Sequence, residues 1–130
     1  LFVTRLGDRA VVSPQNPVVI RPRSEPQPDL LLLRPRAVSY SRGHPNPEDV
    51  LLAVEVADTT VRFDRLVKAR LYSRAAIPEF WLFLAQNCEV EVYRAPGADG
   101  YAQVTRLGGA AGVSPLAFPD VQFAVADFFA

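Results

Sequence analysis

One lysine, one histidine, one tryptophan, one cysteine and no methionine: these shortages narrow the reading of the sequence before any motif does. A lone Cys88 excludes an internal disulfide and a cysteine-based metal site. His44 sits by itself in a Pro/Gly stretch, with no serine arranged as a nucleophile, which argues against a catalytic triad. No apolar run approaches the roughly 20 residues that span a bilayer, and Leu1 opens no signal-peptide pattern. The expectation is therefore a cytoplasmic protein with no membrane partner. The glycines between Gly108 and Gly112 follow no phosphate-binding spacing and lead into no helix, so they read as a flexible loop. With no methionine anywhere and Leu1 at the start, a preceding N-terminal piece is expected.

What is present is enough for one domain with one core: 130 residues, 49% hydrophobic and 22% charged. The 14 basic residues are 13 arginines and Lys68, beside 12 prolines and three asparagines. GC-rich coding and a heat-loving source both produce that balance, and composition does not separate them. The formal charge of zero hides an asymmetry. Residues 1–74 hold 12 basic and 8 acidic groups (+4), and residues 75–130 hold 2 and 6 (−4). Arginines cluster at Arg21, Arg23, Arg34, Arg36 and Arg42, and again from Arg62 to Arg74. Such clusters attract a polyanion or simply coat a solvated surface, and charge alone does not choose.

The pattern along the chain predicts a sheet with few helices. Leu1–Val12 alternates briefly around Gly7-Asp8 and suggests a hairpin or the end of a missing element. Val18–Ile20 is a short strand candidate, and the prolines from Arg21 to Pro28 hold the chain extended. Leu30–Leu33 is an apolar run of strand length, followed by a Pro/Ser/Gly-rich loop over 34–49. Val50–Ala57 is the next apolar strand. Asp58, Thr59 or Thr60 then offers a cap for a helix over about Phe63–Ala75, with Phe63, Val67, Leu71 and Ala75 as its apolar stripe. Glu79–Leu84 and Glu89–Arg94 read as strands joined by a hairpin at 85–88, and Tyr101–Leu107 as another. Val121–Ala130 suggests a last strand and a helical turn. Phe80–Phe83 read as core, with Phe80 or Phe83 available to an oligomer partner. Nothing repeats, and no linker divides the chain.

One constellation carries chemistry. Glu55 interrupts a buried strand, which is costly unless something compensates its charge. A period of two puts Leu51, Ala53 and Glu55 on one face, and Leu52, Val54 and Val56 on the other. Asp29 opens the neighbouring strand, and the helix can return Lys68 to the same edge, with Asp64 and Tyr72 at i−4 and i+4 beside it. Two carboxylates a few ångströms apart repel unless a cation lies between them. Hard oxygen ligands with retained water suit Mg²⁺ or Mn²⁺, which can acidify a water and stabilise a phosphate oxygen. A lysine ammonium can orient that water or share its proton, whereas a guanidinium stays protonated. Glu25 is close enough in sequence to Asp29 to be an accessory ligand, though a solvated loop carboxylate is the simpler reading.

PQPDLLLL at 26–33, VEV at 54–56 and FDRLVKARLYSRAAIPEFWLF at 63–83 together resemble the family named "putative restriction endonuclease" in the PD-(D/E)XK phosphodiesterase superfamily. The resemblance runs from about Ser24 to Arg94 and more weakly to the C-terminus. It implies an α/β fold with a restriction-endonuclease-like core, a mixed central sheet and a flanking helix, in a single domain over residues 1–130. It also implies that Pro28-Asp29 is the PD element and Glu55 the (D/E). Ala57 stands where the superfamily's lysine is usual, and Lys68 matches the position on the following helix to which this family moves it. The family's acidic residue on an N-terminal helix has no match here, so that helix is expected to be missing and the domain N-terminally incomplete.

The resemblance thus implies a Mg²⁺- or Mn²⁺-dependent nuclease, a hydrolase of DNA phosphodiester bonds. Asp29, Glu55 and Lys68 would be catalytic, with the metal on Asp29, Glu55 and the Val56 carbonyl. Asp64 and Tyr72 would support them, and Arg62, Arg65 and Arg70 would hold the phosphate backbone. The alternative is a nuclease-fold module without catalysis that binds nucleic acid or a protein. Exposed strand edges also suggest a homo-oligomer.

Overall fold

The computed structural model describes residues 2–14, 28–35, 45–57 and 62–129, and for 62–65 the backbone only. The expected strand at Val18–Ile20, the cap at Asp58–Thr60, and Glu25, His44, Arg21, Arg23, Arg36 and Arg42 lie outside the described residues.

The apolar runs form a six-stranded mixed sheet whose spatial order is the chain order: β1 (Val11–Pro14), β2 (Leu30–Leu33), β3 (Val50–Ala57), β4 (Glu79–Leu84), β5 (Glu89–Arg94) and β6 (Gln103–Gly108). All neighbours are antiparallel except β3 and β4, which run parallel. A parallel pair needs a crossover, and the helix α2 (Arg62–Arg74) supplies it. A two-stranded ribbon, β7 (Gly112–Val113) with β8 (Phe123–Ala124), and a 3₁₀ turn at Val125–Phe129 complete the described chain. The segment read as a flexible glycine loop is in fact a short turn leading into β7.

Two apolar layers sandwich the sheet. On one face Ala69 and Tyr72 of α2 pack with Leu31, Leu33, Ala53, Phe80 and Leu82. On the other, Leu32, Val54, Trp81, Phe83 and Val92 lie under Phe2, Phe118 and Phe123. Phe80 and Phe83 are both buried in these layers, so neither is presented to a partner.

Three expectations are corrected. The N-terminal stretch is a short helix, α1 (Phe2–Leu6), followed by a 3₁₀ turn and β1, not a hairpin. Phe2 and Leu6 are buried at i and i+4, which is a helical spacing, and Phe2 packs edge-on against Phe123. Next, strict alternation along β3 fails at its start. Leu32 pairs with Leu52 but Leu33 pairs with Val50, so Leu51 is the extra residue of a bulge. It consequently packs with Leu52 and Val54, on the face opposite Ala53. Finally, Val67 is exposed, and the buried face of α2 is Ala69, Tyr72 and Ser73. Small Ala69 lets the helix approach the sheet, and the helix is rotated to aim Tyr72 at Glu55.

Pro78 lies beyond the end of α2, and the helix stops four residues before it, at Arg74. The amides of Ala76 and Ile77 bond back to the Ser73 and Tyr72 carbonyls, with Ala76 at φ 60°. That is a Schellman ending with alanine in the left-handed position that glycine usually fills.

Candidate active site

Glu55 is the sixth residue of β3 and only 5% exposed. It faces α2, and the helix meets it with two donors. The Lys68 ammonium lies 3.0 Å from each of its oxygens, and the Tyr72 hydroxyl donates to Oε2 at 3.0 Å. Lys68 and Tyr72 are one helical turn apart, so both reach one carboxylate. Tyr72 is fully buried, whereas the Lys68 side chain is 44% exposed and keeps part of its ammonium toward solvent.

Asp29 precedes β2 at the edge of this site. Its Oδ2 accepts the Val56 amide hydrogen at 2.7 Å. Because β2 pairs with β3 only as far as Leu30 with Val54, that amide is beyond the ladder and needs an acceptor. The bond fixes the Asp29 carboxylate beside the end of β3 and leaves its second oxygen clear of that contact.

Electrostatics set Glu55 apart. Burial pushes its pKa above the usual carboxylate value, and the negative charge of Asp29 pushes the same way. The bonds from Lys68 and Tyr72 pull it back without cancelling the rise. The Tyr72 hydroxyl is itself held far above its ordinary value, by burial first and by Glu55 next, so it serves as a fixed donor. Asp29 and Glu55 thus feel each other's charge, a situation that a cation relieves. Among the described residues no group of three or more His, Cys, Asp or Glu side chains is placed to share a metal. Two carboxylates plus water is a donor set that suits Mg²⁺, which keeps much of its hydration.

The structure therefore brings Asp29, Glu55, Lys68 and Tyr72 to one end of the sheet. Val56 follows at the same strand end with its side chain exposed, and Arg70 is exposed on α2. The side chains of Arg62, Asp64 and Arg65 lie outside the described residues. Cys88 is exposed in the β4–β5 turn.

A family model described as "Putative restriction endonuclease", Uma2, matches residues 1–126. The chain belongs to the Uma2 family. The match reaches well beyond the segment 24–94 in which the sequence motifs lie. No curated protein matches this Uma2 chain. Among solved structures it is similar to a putative nuclease belonging to DUF820 from Anabaena variabilis ATCC 29413. That likeness has a TM-score of 0.74 at 13% identity and covers 98% of this chain and 73% of the other. At such identity it establishes the fold, a nuclease-like α/β architecture, and nothing about chemistry.

Sequence reading missed a second buried carboxylate. Glu79, fully buried at the start of β4, accepts from Trp81 Nε1 at 2.7 Å, Arg94 Nε at 2.8 Å and the Leu116 amide at 2.8 Å. The signal was present: an acid two residues before the sole tryptophan shares its face of a strand.

Proposed function

We propose that this Uma2 chain is a Mg²⁺-dependent (or Mn²⁺-dependent) endonuclease that hydrolyses DNA phosphodiester bonds, acting in the cytoplasm. The observation that supports it most is the convergence of Asp29 with the Glu55–Lys68–Tyr72 cluster at one end of the sheet. Asp29 and Glu55 would hold the cation, with the Val56 carbonyl as a third oxygen. A divalent ion there supplies a Lewis acid for phosphate and water. Tyr72 keeps Glu55 in one orientation. Lys68 presents its ammonium where it can orient the attacking water and face the charge developing on phosphate. Asp64 would support Lys68 from the preceding turn of α2. Arg62, Arg65 and Arg70 would grip backbone phosphates, which positions a duplex without reading its sequence.

The test is cleavage of supercoiled plasmid in Mg²⁺ or Mn²⁺ by the wild type and by Asp29→Asn, Glu55→Gln and Lys68→Ala. Loss of cutting in all three supports the assignment, and equal cutting by all four proteins overturns it.

A binding module without catalysis is favoured by one feature: both Glu55 oxygens already have protein donors. Calorimetry with Mn²⁺ separates the two readings, since a module of this kind takes up no metal. A homo-oligomer would use the outer edge of β6, whose residues Gln103–Arg106 are exposed. Light scattering of a Thr105→Pro variant, which removes one donor from that edge, tests it.

A further inference from the structure

Arg94 ends β5 on the sheet face opposite α2, directly across from Glu79. Glu55 pairs with Leu82, three positions further along β4, so the two carboxylates face opposite sides of the sheet and stand about 10 Å apart along it. Whatever Arg94 does is therefore separate from the Glu55 centre.

Its guanidinium is held firmly. Nε donates to the buried Glu79 at 2.8 Å, and one nitrogen, NH2, donates to the Ser114 carbonyl at 2.7 Å. Of the five N–H donors of an arginine, these contacts use two, leaving three. Arg94 is partly exposed, and it lines a depression of about 280 Å³ between β5, β6 and the 112–122 segment. The walls are apolar and polar in similar measure, with Val92, Leu107, Val113 and Leu116 beside Thr105, Ser114 and Gln122. Among the described residues, Arg94 is the sole charged one in that lining.

We propose that this depression binds a small organic carboxylate, an acid group carried on an apolar body. An oriented guanidinium with two parallel N–H groups matches a carboxylate in a fork-to-fork arrangement. The volume lies just below the usual range for ligand sites, roughly 300–1,000 Å³, which selects a small molecule. Glu79 already balances the charge of Arg94, so the remaining N–H donors hold an anion by hydrogen bonding, and a monoanion is accommodated where a phosphate dianion is not. Leu116, 47% exposed, gives the apolar body a surface to cover.

Trp81 provides the readout, because the only tryptophan of the chain shares Glu79 with Arg94. The full chain is titrated with N-acetyl-leucine, with its uncharged amide, and with inorganic phosphate, following tryptophan emission and heat in parallel. The acid is expected to bind saturably, with the amide and phosphate each weaker by about tenfold or more. Thr105→Glu places a like charge in the depression at an exposed position. It should weaken the acid by a similar factor without moving the thermal melt. Lys68→Ala should leave acid binding unchanged. Equal binding of acid and amide, phosphate binding as tight as the acid, an unaffected Thr105→Glu variant, or no saturable signal by either method overturns the proposal.

Discussion

The Tyr72 hydroxyl, fully buried, donates at 3.0 Å to a Glu55 carboxylate that is itself almost without solvent contact. This bond ties α2 to β3 at the point where the chain also delivers Lys68. Tyr72→Phe removes one donor from a buried charge, a change that costs about 1–3 kcal/mol. Urea melts should show that loss, and the pKa of Glu55 should rise further, since Tyr72 now holds it down.

Glu55 makes stability depend on pH in a defined direction. Burial raises its folded-state value above the unfolded one, so the folded protein holds the proton more tightly. Its contribution is complete below the unfolded value of about 4.3 and is lost as pH rises through the folded value. Glu55→Gln should therefore be at least as stable as the wild type near neutrality, with the advantage fading toward acid pH. Denaturant melts across that pH range check it. A wild type that gains on the variant as pH rises would contradict the burial argument.

Removing Glu79 should cost far more. It is fully buried but satisfied by Trp81, Arg94 and the Leu116 amide. Glu79→Ala strands three donors and leaves Arg94 without its counter-charge, which costs about 3–5 kcal/mol. The expected outcome in a melt is a strongly destabilised protein, against little or no loss for Glu55→Gln.

Ala76 offers a stabilising change. Its φ of 60° lies in the left-handed region, where a Cβ costs about 1–2 kcal/mol. Ala76→Gly should gain about 1 kcal/mol after the entropy of glycine in the unfolded chain is counted. Thermal unfolding reads it directly.

The legible parts of this fold were those in which one face of one element decides the outcome. Leu30–Leu33, Val50–Ala57 and Glu79–Leu84 are apolar runs of strand length, and each forms the strand it suggested. The convergence of Asp29, Glu55 and Lys68 on one region also followed from their positions at strand ends and on the crossover helix. The parts that escaped depend on partners distant in sequence. Leu51 turns to the other face because β2 meets β3 with a bulge, which no alternation within β3 reveals. Val67 is exposed because the rotation of α2 is set by Tyr72 and Lys68 seeking Glu55, and not by the apolar stripe of the helix. The Glu79 network needs Arg94 and Leu116, 15 and 37 residues away.

Anomalous diffraction from crystals soaked in Mn²⁺ tests the central claim most directly. A peak bonded by the Asp29 and Glu55 carboxylates, absent from crystals of Asp29→Asn, is the result expected. Well-ordered carboxylates with no peak between them, or a peak that persists in Asp29→Asn, would contradict it.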